Sequence, residues 1–144
     1  MHVRDAIEAD ADAMAAISDA PRDVMRNLVH DRTVRVAVTE EGADRATDAS
    51  VVDETATTDL LGFVSYDAES DAVHVTQLDG VEEACERLLS EPIRFAETES
   101  MAVELLVPIH REDLREAAST LGFEREGFGP RFDGARTVRF RLEP

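Results

Sequence analysis

The run from Met101 to Ile109 is the most apolar strand-like stretch in the chain, and it stands between two segments whose apolar residues recur at helical spacing. Upstream, Val81, Ala84, Cys85, Leu88 and Leu89 mark one face of an amphipathic helix that either kinks or restarts at Pro92, before Ile93 and Ala96. Downstream, Leu114, Ala117, Ala118 and Leu121 form the inward stripe of a last helix, with Gly122 as its left-handed terminator and Phe123 closing the cap. A helix with one apolar stripe has to bury it, so these segments demand a sheet to pack on.

The rest of the chain supplies that sheet. His2 to Ala6 reads as a short first strand, and Thr33 to Thr39 alternates Val34, Val36 and Val38 against Arg35 and Ala37. Leu60 to Tyr66 and Ala72 to Leu78 flank a polar turn at Asp67 to Asp71 and form an antiparallel hairpin. A final pair of strands lies around Glu124 to Phe128 and Ala135 to Leu142, with Gly127, Gly129, Pro130, Asp133 and Gly134 supplying turns. Between the first two strands come two short helices. One carries Ala13, Met14, Ile17 and Ala20 behind Asp10 and Asp12; the other begins at Pro21 and carries Val24, Met25, Leu28 and Val29. From Glu40 to Asp59 no period is visible, and the segment reads as a solvated acidic loop. The resulting order is β-α-α-β-β-β-α-β-α-β-β in 144 residues, with no internal repeat, which predicts a single domain over 1–144.

Charge narrows the setting. Thirty-two acidic residues face 15 basic ones, for a net charge of -17, and every basic residue is Arg. In molar salt the Debye length falls to about 3 Å and the self-repulsion is screened. The pattern resembles that of proteins from extreme halophiles. The same charge argues against nucleic acid and anionic membranes as partners. No apolar run reaches the length of a bilayer span, and Met1-His2-Val3-Arg4-Asp5 is charged where a signal peptide turns apolar, so a cytoplasmic protein is expected. Cys85 has no second cysteine to pair with, and it lies on the apolar stripe of its helix as a core residue. His2, His30, His74 and His110 share no face or fixed spacing, so no metal site is expected. No P-loop and no G-x-S-x-G elbow is present.

Four local patterns fall in the order found in the GNAT acyltransferases, which the chain resembles over nearly its whole length. Val3-Arg4-Asp5-Ala6 with Asp10, Met14 and Ile17 looks like the family's first strand and helix, and Leu61-Gly62-Phe63-Val64 like its third strand. Leu88, Leu89, Phe95-Ala96-Glu97 and Leu105-Leu106-Val107 resemble the cofactor-side helix and the strand after it. Leu114, Ala117 and Leu121-Gly122-Phe123-Glu124 resemble the last helix and its turn. The resemblance implies an α/β (α+β) fold, a mixed and mainly antiparallel central sheet of six to seven strands flanked by about four helices. It also implies transfer of an acetyl or other acyl group from acyl-CoA to a primary amine of a small molecule, a protein N-terminus or a lysine.

That chemistry sets three requirements. The first is a pyrophosphate cradle, in the family a Q/R-x-x-G-x-G/A loop at the start of the helix after strand four. Gln77-Leu78-Asp79-Gly80-Val81-Glu82 matches its first two fixed positions and departs at the last, where Glu82 stands beside Glu83. The alternative reading of these residues is a helix capped by Asp79 and Glu82, or strand four running straight into the helix. The second is an acid for the departing thiolate, in the family often a Tyr four residues before the last helix's glycine; here that position is Ala118, leaving Ser119 and Tyr66 as substitutes. The third is a base for the amine, for which Glu104 and His74 are the candidates. Glu104 interrupts the apolar strand, facing either a cleft or solvent. His110-Arg111 is either the entry to the last helix or a phosphate contact. The altered cradle and absent tyrosine favour an alternative: a GNAT-fold module without catalysis, serving binding or regulation as a homodimer. Strands four and five splayed beyond Val75 favour cofactor binding, and a closed gap favours the module.

Overall fold

The helical and strand periods resolve into seven strands and four helices in a computed structural model, which describes residues 1–39, 60–69, 71–131 and 134–144. The acidic loop expected at 40–59 and the turn residue Asp133 lie outside the described residues. Strand β1 (His2–Asp5) leads through a single 3-10 turn to α1 (Ala11–Ser18) and α2 (Arg22–Asp31). Then come β2 (Thr33–Val38), β3 (Leu60–Ala68), β4 (Ala72–Gly80), α3 (Glu82–Glu99), β5 (Ala102–Pro108), α4 (Glu112–Thr120), β6 (Glu124–Phe128) and β7 (Thr137–Leu142). The seven strands form one sheet in the order β1-β2-β3-β4-β5-β7-β6. Every pair is antiparallel except β4–β5, whose connection is the α3 crossover that a parallel pair needs.

Helices cover the sheet from both sides. Under α3 and α4, Val64, Val73, Val103, Leu105, Val107 and Phe140 meet Cys85, Leu88, Leu89 and Leu114. On the other face, Val34, Val36, Val38 and Phe63 meet Met14 and Met25 from α1 and α2. Asp10, fully buried, fastens the first strand to the first helix: both terminal nitrogens of Arg4 donate to its carboxylate at 2.8 and 2.9 Å, and the Ile7 N–H donates at 2.8 Å.

Two local expectations change and one holds. Pro21 is the cap of α2 and not its first helical residue, because its ψ of 141° is extended. Pro92 does not restart the helix; α3 runs unbroken over 18 residues with Pro92 buried. The helix α4 closes as its sequence predicts, with Gly122 at φ +96° and the Phe123 N–H donating to the Ala118 carbonyl at 3.0 Å.

Candidate active site

Strand β4 has two different halves. From Ala72 to Val75 it pairs with β3 on one side and with β5, residues Ala102 to Leu105, on the other. From Thr76 onward it pairs only with β3, as far as Gly80, while β5 continues against β7 to Pro108. The two parallel strands therefore cease to pair beyond Val75 and Leu105, leaving a split at their C-terminal ends, the place where ligands enter open α/β sheets. The divergence begins at a β-bulge. Ser65 is opposite Gln77 and Tyr66 opposite Val75, so Thr76 has no partner on β3. Its hydroxyl is instead 2.8 Å from the buried Ser65 hydroxyl and donates to the Ser65 carbonyl at 3.1 Å.

Of the readings open for this segment, the structure has strand four running straight into the helix: Gln77, Leu78, Asp79 and Gly80 are strand, Val81 is the helix cap, and Glu82 is the first residue of α3. The chain can turn so abruptly because two glycines cross. Gly80 sits at φ +133°, where a Cβ would lie 2.4 Å from the Leu61 carbonyl oxygen, and Gly62 is its register partner. The Val81 N–H then donates to the Leu61 carbonyl at 3.0 Å. The capping box expected of Asp79 and Glu82 is not formed, since no side chain caps α3. Its first-turn N–H groups point out of the strand end with the dipole behind them.

Asp79 is engaged elsewhere. Its carboxylate accepts from the Gly80 N–H at 2.9 Å, the Ser18 hydroxyl at 3.1 Å and Arg111 Nη1 at 3.1 Å. Arg111 caps α4 and is also held by Asp113 at 3.1 and 3.2 Å. Its guanidinium so joins the end of β4 to the turn after β5 across the mouth of the crevice. The Asp113 hydrogen bonds hold the Arg111 pKa above its ordinary value, and the Arg111 guanidinium holds the Asp113 carboxyl below the usual carboxylate range. Gln77 reaches the same corner, its amide nitrogen 3.4 Å from the Ser18 hydroxyl. Leu78 is buried in the core, whereas Val81 and Glu82 are exposed. Burial, with Asp79 nearby, pushes the Cys85 thiol up to about 12, consistent with its place in the core.

His74 and Glu104 are brought together. They face each other in register on β4 and β5, on the sheet face opposite Val73, Val75, Val103 and Leu105, with His74 Nδ1 3.5 Å from Glu104. Both are half-buried, one residue short of the point where the strands separate. The other Glu104 oxygen accepts from Arg141 of β7 at 2.5 Å, and Arg141 also binds Glu143 at 2.6 Å. Glu69 lies 3.8 Å from His74 Nε2. The two candidate acids are not part of this cluster. Tyr66 is opposite Val75 and packs on Phe95 of α3, so it belongs to the other face of the sheet, where burial raises its pKa. Ser119 is exposed on α4, in a groove facing β6. Arg111, read from the sequence as a helix entry or a phosphate contact, is the helix cap, and its partner Asp79 lies 32 residues away; Arg141 carried no signal in the sequence, because it acts on a carboxylate 37 residues away.

Among the described residues, no group of three or more His, Cys, Asp or Glu is arranged to hold a metal ion, and no helix is long and apolar enough to cross a membrane. No protein-family model and no curated protein matches the sequence. Solved structures do match the fold. The ribosomal-protein-alanine N-acetyltransferase of Brucella melitensis superposes with a TM-score of 0.71 at 14% identity, covering 100% of both chains. Arabidopsis thaliana NAA60 in complex with acetyl-CoA gives 0.69 at 17% identity, covering 99% of this chain and 97% of that one. A GNAT superfamily phosphinothricin acetyltransferase from Sinorhizobium meliloti in complex with AcCoA gives 0.68 at 16%, covering 99% and 87%. The chain has the GNAT fold, and the described residues hold the mixed, mostly antiparallel sheet and four helices that the family resemblance implies.

Proposed function

We propose that this GNAT-fold chain is an N-acyltransferase, taking an acetyl or other acyl group from acyl-CoA and passing it to a primary amine of a small molecule, a protein N-terminus or a lysine. The observation that carries this reading is the divergence of β4 from β5 beyond Val75 and Leu105, with the uncapped start of α3 at its mouth and the His74–Glu104 pair at its apex. A helix N-terminus with free N–H groups suits pyrophosphate. Glu82 and Glu83 oppose an anion there, while Asp79 is already countered by Arg111. An acyl thioester extending between the strands reaches the sheet beside His74 and Glu104.

An amine attacks the thioester carbonyl only as the free base, and an ordinary alkylammonium with a pKa near 10 is about one part in a thousand neutral at pH 7. Glu104 and His74 supply the acceptor for that proton. Arg141 positions the Glu104 carboxylate by taking its second oxygen. As the carbon–sulfur bond breaks, the thiolate leaves and is protonated from water, since neither Tyr66 nor Ser119 shares this face. The same reading places the protein in the cytoplasm of a salt-loaded cell, where its charge is screened.

The ion pair across the mouth favours a second reading. Arg111 bound to Asp79 ties the two strand ends together, as suits a binding or regulatory module that has given up catalysis. Acetyl transfer to a panel of amines separates the two. In the enzyme, Glu104→Gln lowers kcat by about 10²-fold or more with acetyl-CoA binding retained, as loss of a general base does. Equal turnover by Glu104→Gln and His74→Ala would remove both from the role of base, and absence of transfer by the wild type to any amine favours the module.

A further inference from the structure

Arginines in this chain are treated in two ways. Among the described residues, every arginine before Arg115 except Arg87 has a carboxylate within ion-pair reach. From Arg115 on, only Arg141 has one. Arg115, Arg125, Arg131, Arg136 and Arg139 have none, in a protein with 32 acidic residues to draw on. Two of these unpaired guanidinium groups converge. A groove of about 510 Å³ between α4 and β6 is lined by Arg115, Ser119 and Thr120 from the helix, Arg125 from the strand and Phe140 from its floor. Arg115 Nε is buried and has no hydrogen-bond partner. Among the described residues the one other buried nitrogen in that state, Arg4 Nε, belongs to a guanidinium whose two remaining nitrogens both hold Asp10.

Glu112 and Glu116 also line the groove, yet neither forms an ion pair with Arg115 or Arg125. Glu112, in the first turn of α4 where the helix dipole favours a carboxylate, stands at i,i+3 to Arg115 without coming within ion-pair distance of it, and Glu116, adjacent to Arg115 on a helix, does not face it. The cationic surface continues beyond the groove: Arg125 lies over the exposed Phe128 ring at 5.4 Å, and Arg136 lies over the same ring at 4.7 Å. Withdrawing a guanidinium nitrogen from water without an acceptor is unfavourable, and the planar fork is matched by the paired oxygens of a carboxylate or phosphate.

We propose that the α4–β6 groove is a binding site for a small oxyanion, a phosphate or carboxylate group, held by Arg115 and Arg125 with the Ser119 and Thr120 hydroxyls as further donors. None of its lining residues is among those placed at the β4–β5 split, and it does not depend on the acyltransfer reading. The test is calorimetric titration of the full chain with inorganic phosphate in one arm and citrate in the other, at ionic strength held constant with potassium chloride. Saturable binding of at least one is expected, weakened tenfold or more by Arg115→Gln and by Arg125→Gln, and about threefold by Ser119→Ala. Arg125 is on an exposed edge strand, so its variant reports even where Arg115→Gln disturbs the helix. No saturable binding of either anion, or equal binding by both arginine variants, overturns the proposal. So does binding that emerges only in Glu112→Gln/Glu116→Gln, which would make those carboxylates the true counter-charges.

Discussion

The two halves of β4 differ both in residues, Ala-Val-His-Val against Thr-Gln-Leu-Asp-Gly, and in how they are held. Ala72 to Val75 is clasped between two strands and backed by α3, with Val73 and Val75 in the core and His74 half-buried on the other face. Thr76 to Gly80 loses its β5 partner and is held instead by single contacts: a hydroxyl pair at the bulge, the Gly62–Gly80 crossing, and Asp79 shared among Gly80, Ser18 and Arg111. The lesson is that a strand can be pulled out of a sheet on one side only if a few specific interactions replace the ladder. The crevice exists because those interactions do.

The largest effect that would break this contrast is at the crossing. Gly80→Ala places a methyl against the Leu61 and Gly62 backbone and demands a left-handed conformation. Backbone strain and overpacking each cost roughly 1–3 kcal/mol, so a loss of about 3 kcal/mol is predicted. In thermal unfolding that is a fall of roughly 10 °C for a domain of this size. A change below about 1 kcal/mol would show that the second half of β4 is loosely held after all.

A smaller effect sharpens the role of the mouth. Arg111→Gln leaves Asp79, Glu82 and Glu83 facing the start of α3 without a counter-charge. Acetyl-CoA affinity is predicted to fall about tenfold, or roughly 1.4 kcal/mol. Tighter binding by the variant would mean that the ion pair blocks the crevice, as in the non-catalytic module.

The smallest effect is on pH dependence. Arg111 depresses the Asp113 pKa in the folded chain, so the pair stabilises above the ordinary carboxylate pKa near 3.9 and that contribution is lost as pH falls through the lower, folded value. Urea midpoints measured between about pH 2 and 5 should therefore decline less steeply in Arg111→Gln than in the wild type. Parallel acid limbs would show that the contact has no consequence for stability.

Most elements were legible because their apolar residues repeat: the β5 run from Met101, the α3 stripe through Leu88 and Leu89, and the Gly122–Phe123 cap each carry a local signal. The end of β4 was not. Asp79-Gly80 is a strong turn signal, but here Gly80 serves a close backbone crossing with Gly62, eighteen residues earlier, and the strand continues through it. Asp79 carries the mark of a capping residue, yet its partners Ser18 and Arg111 lie 61 and 32 residues away, beyond any local pattern. The pairing of His74 with Glu104 followed from register, which strand periods do not fix between distant segments. Both were legible as polar interruptions of apolar strands, and only the fold made them neighbours.

The most direct test of the central claim, that the split between β4 and β5 takes acyl-CoA, is calorimetric titration of the full chain with acetyl-CoA in molar potassium chloride. Single-site binding in the micromolar range, abolished when the pyrophosphate-bearing part of the ligand is omitted, is the result predicted. A folded sample that takes up no acetyl-CoA would contradict it and leave a GNAT-shaped module whose crevice is held shut by Arg111.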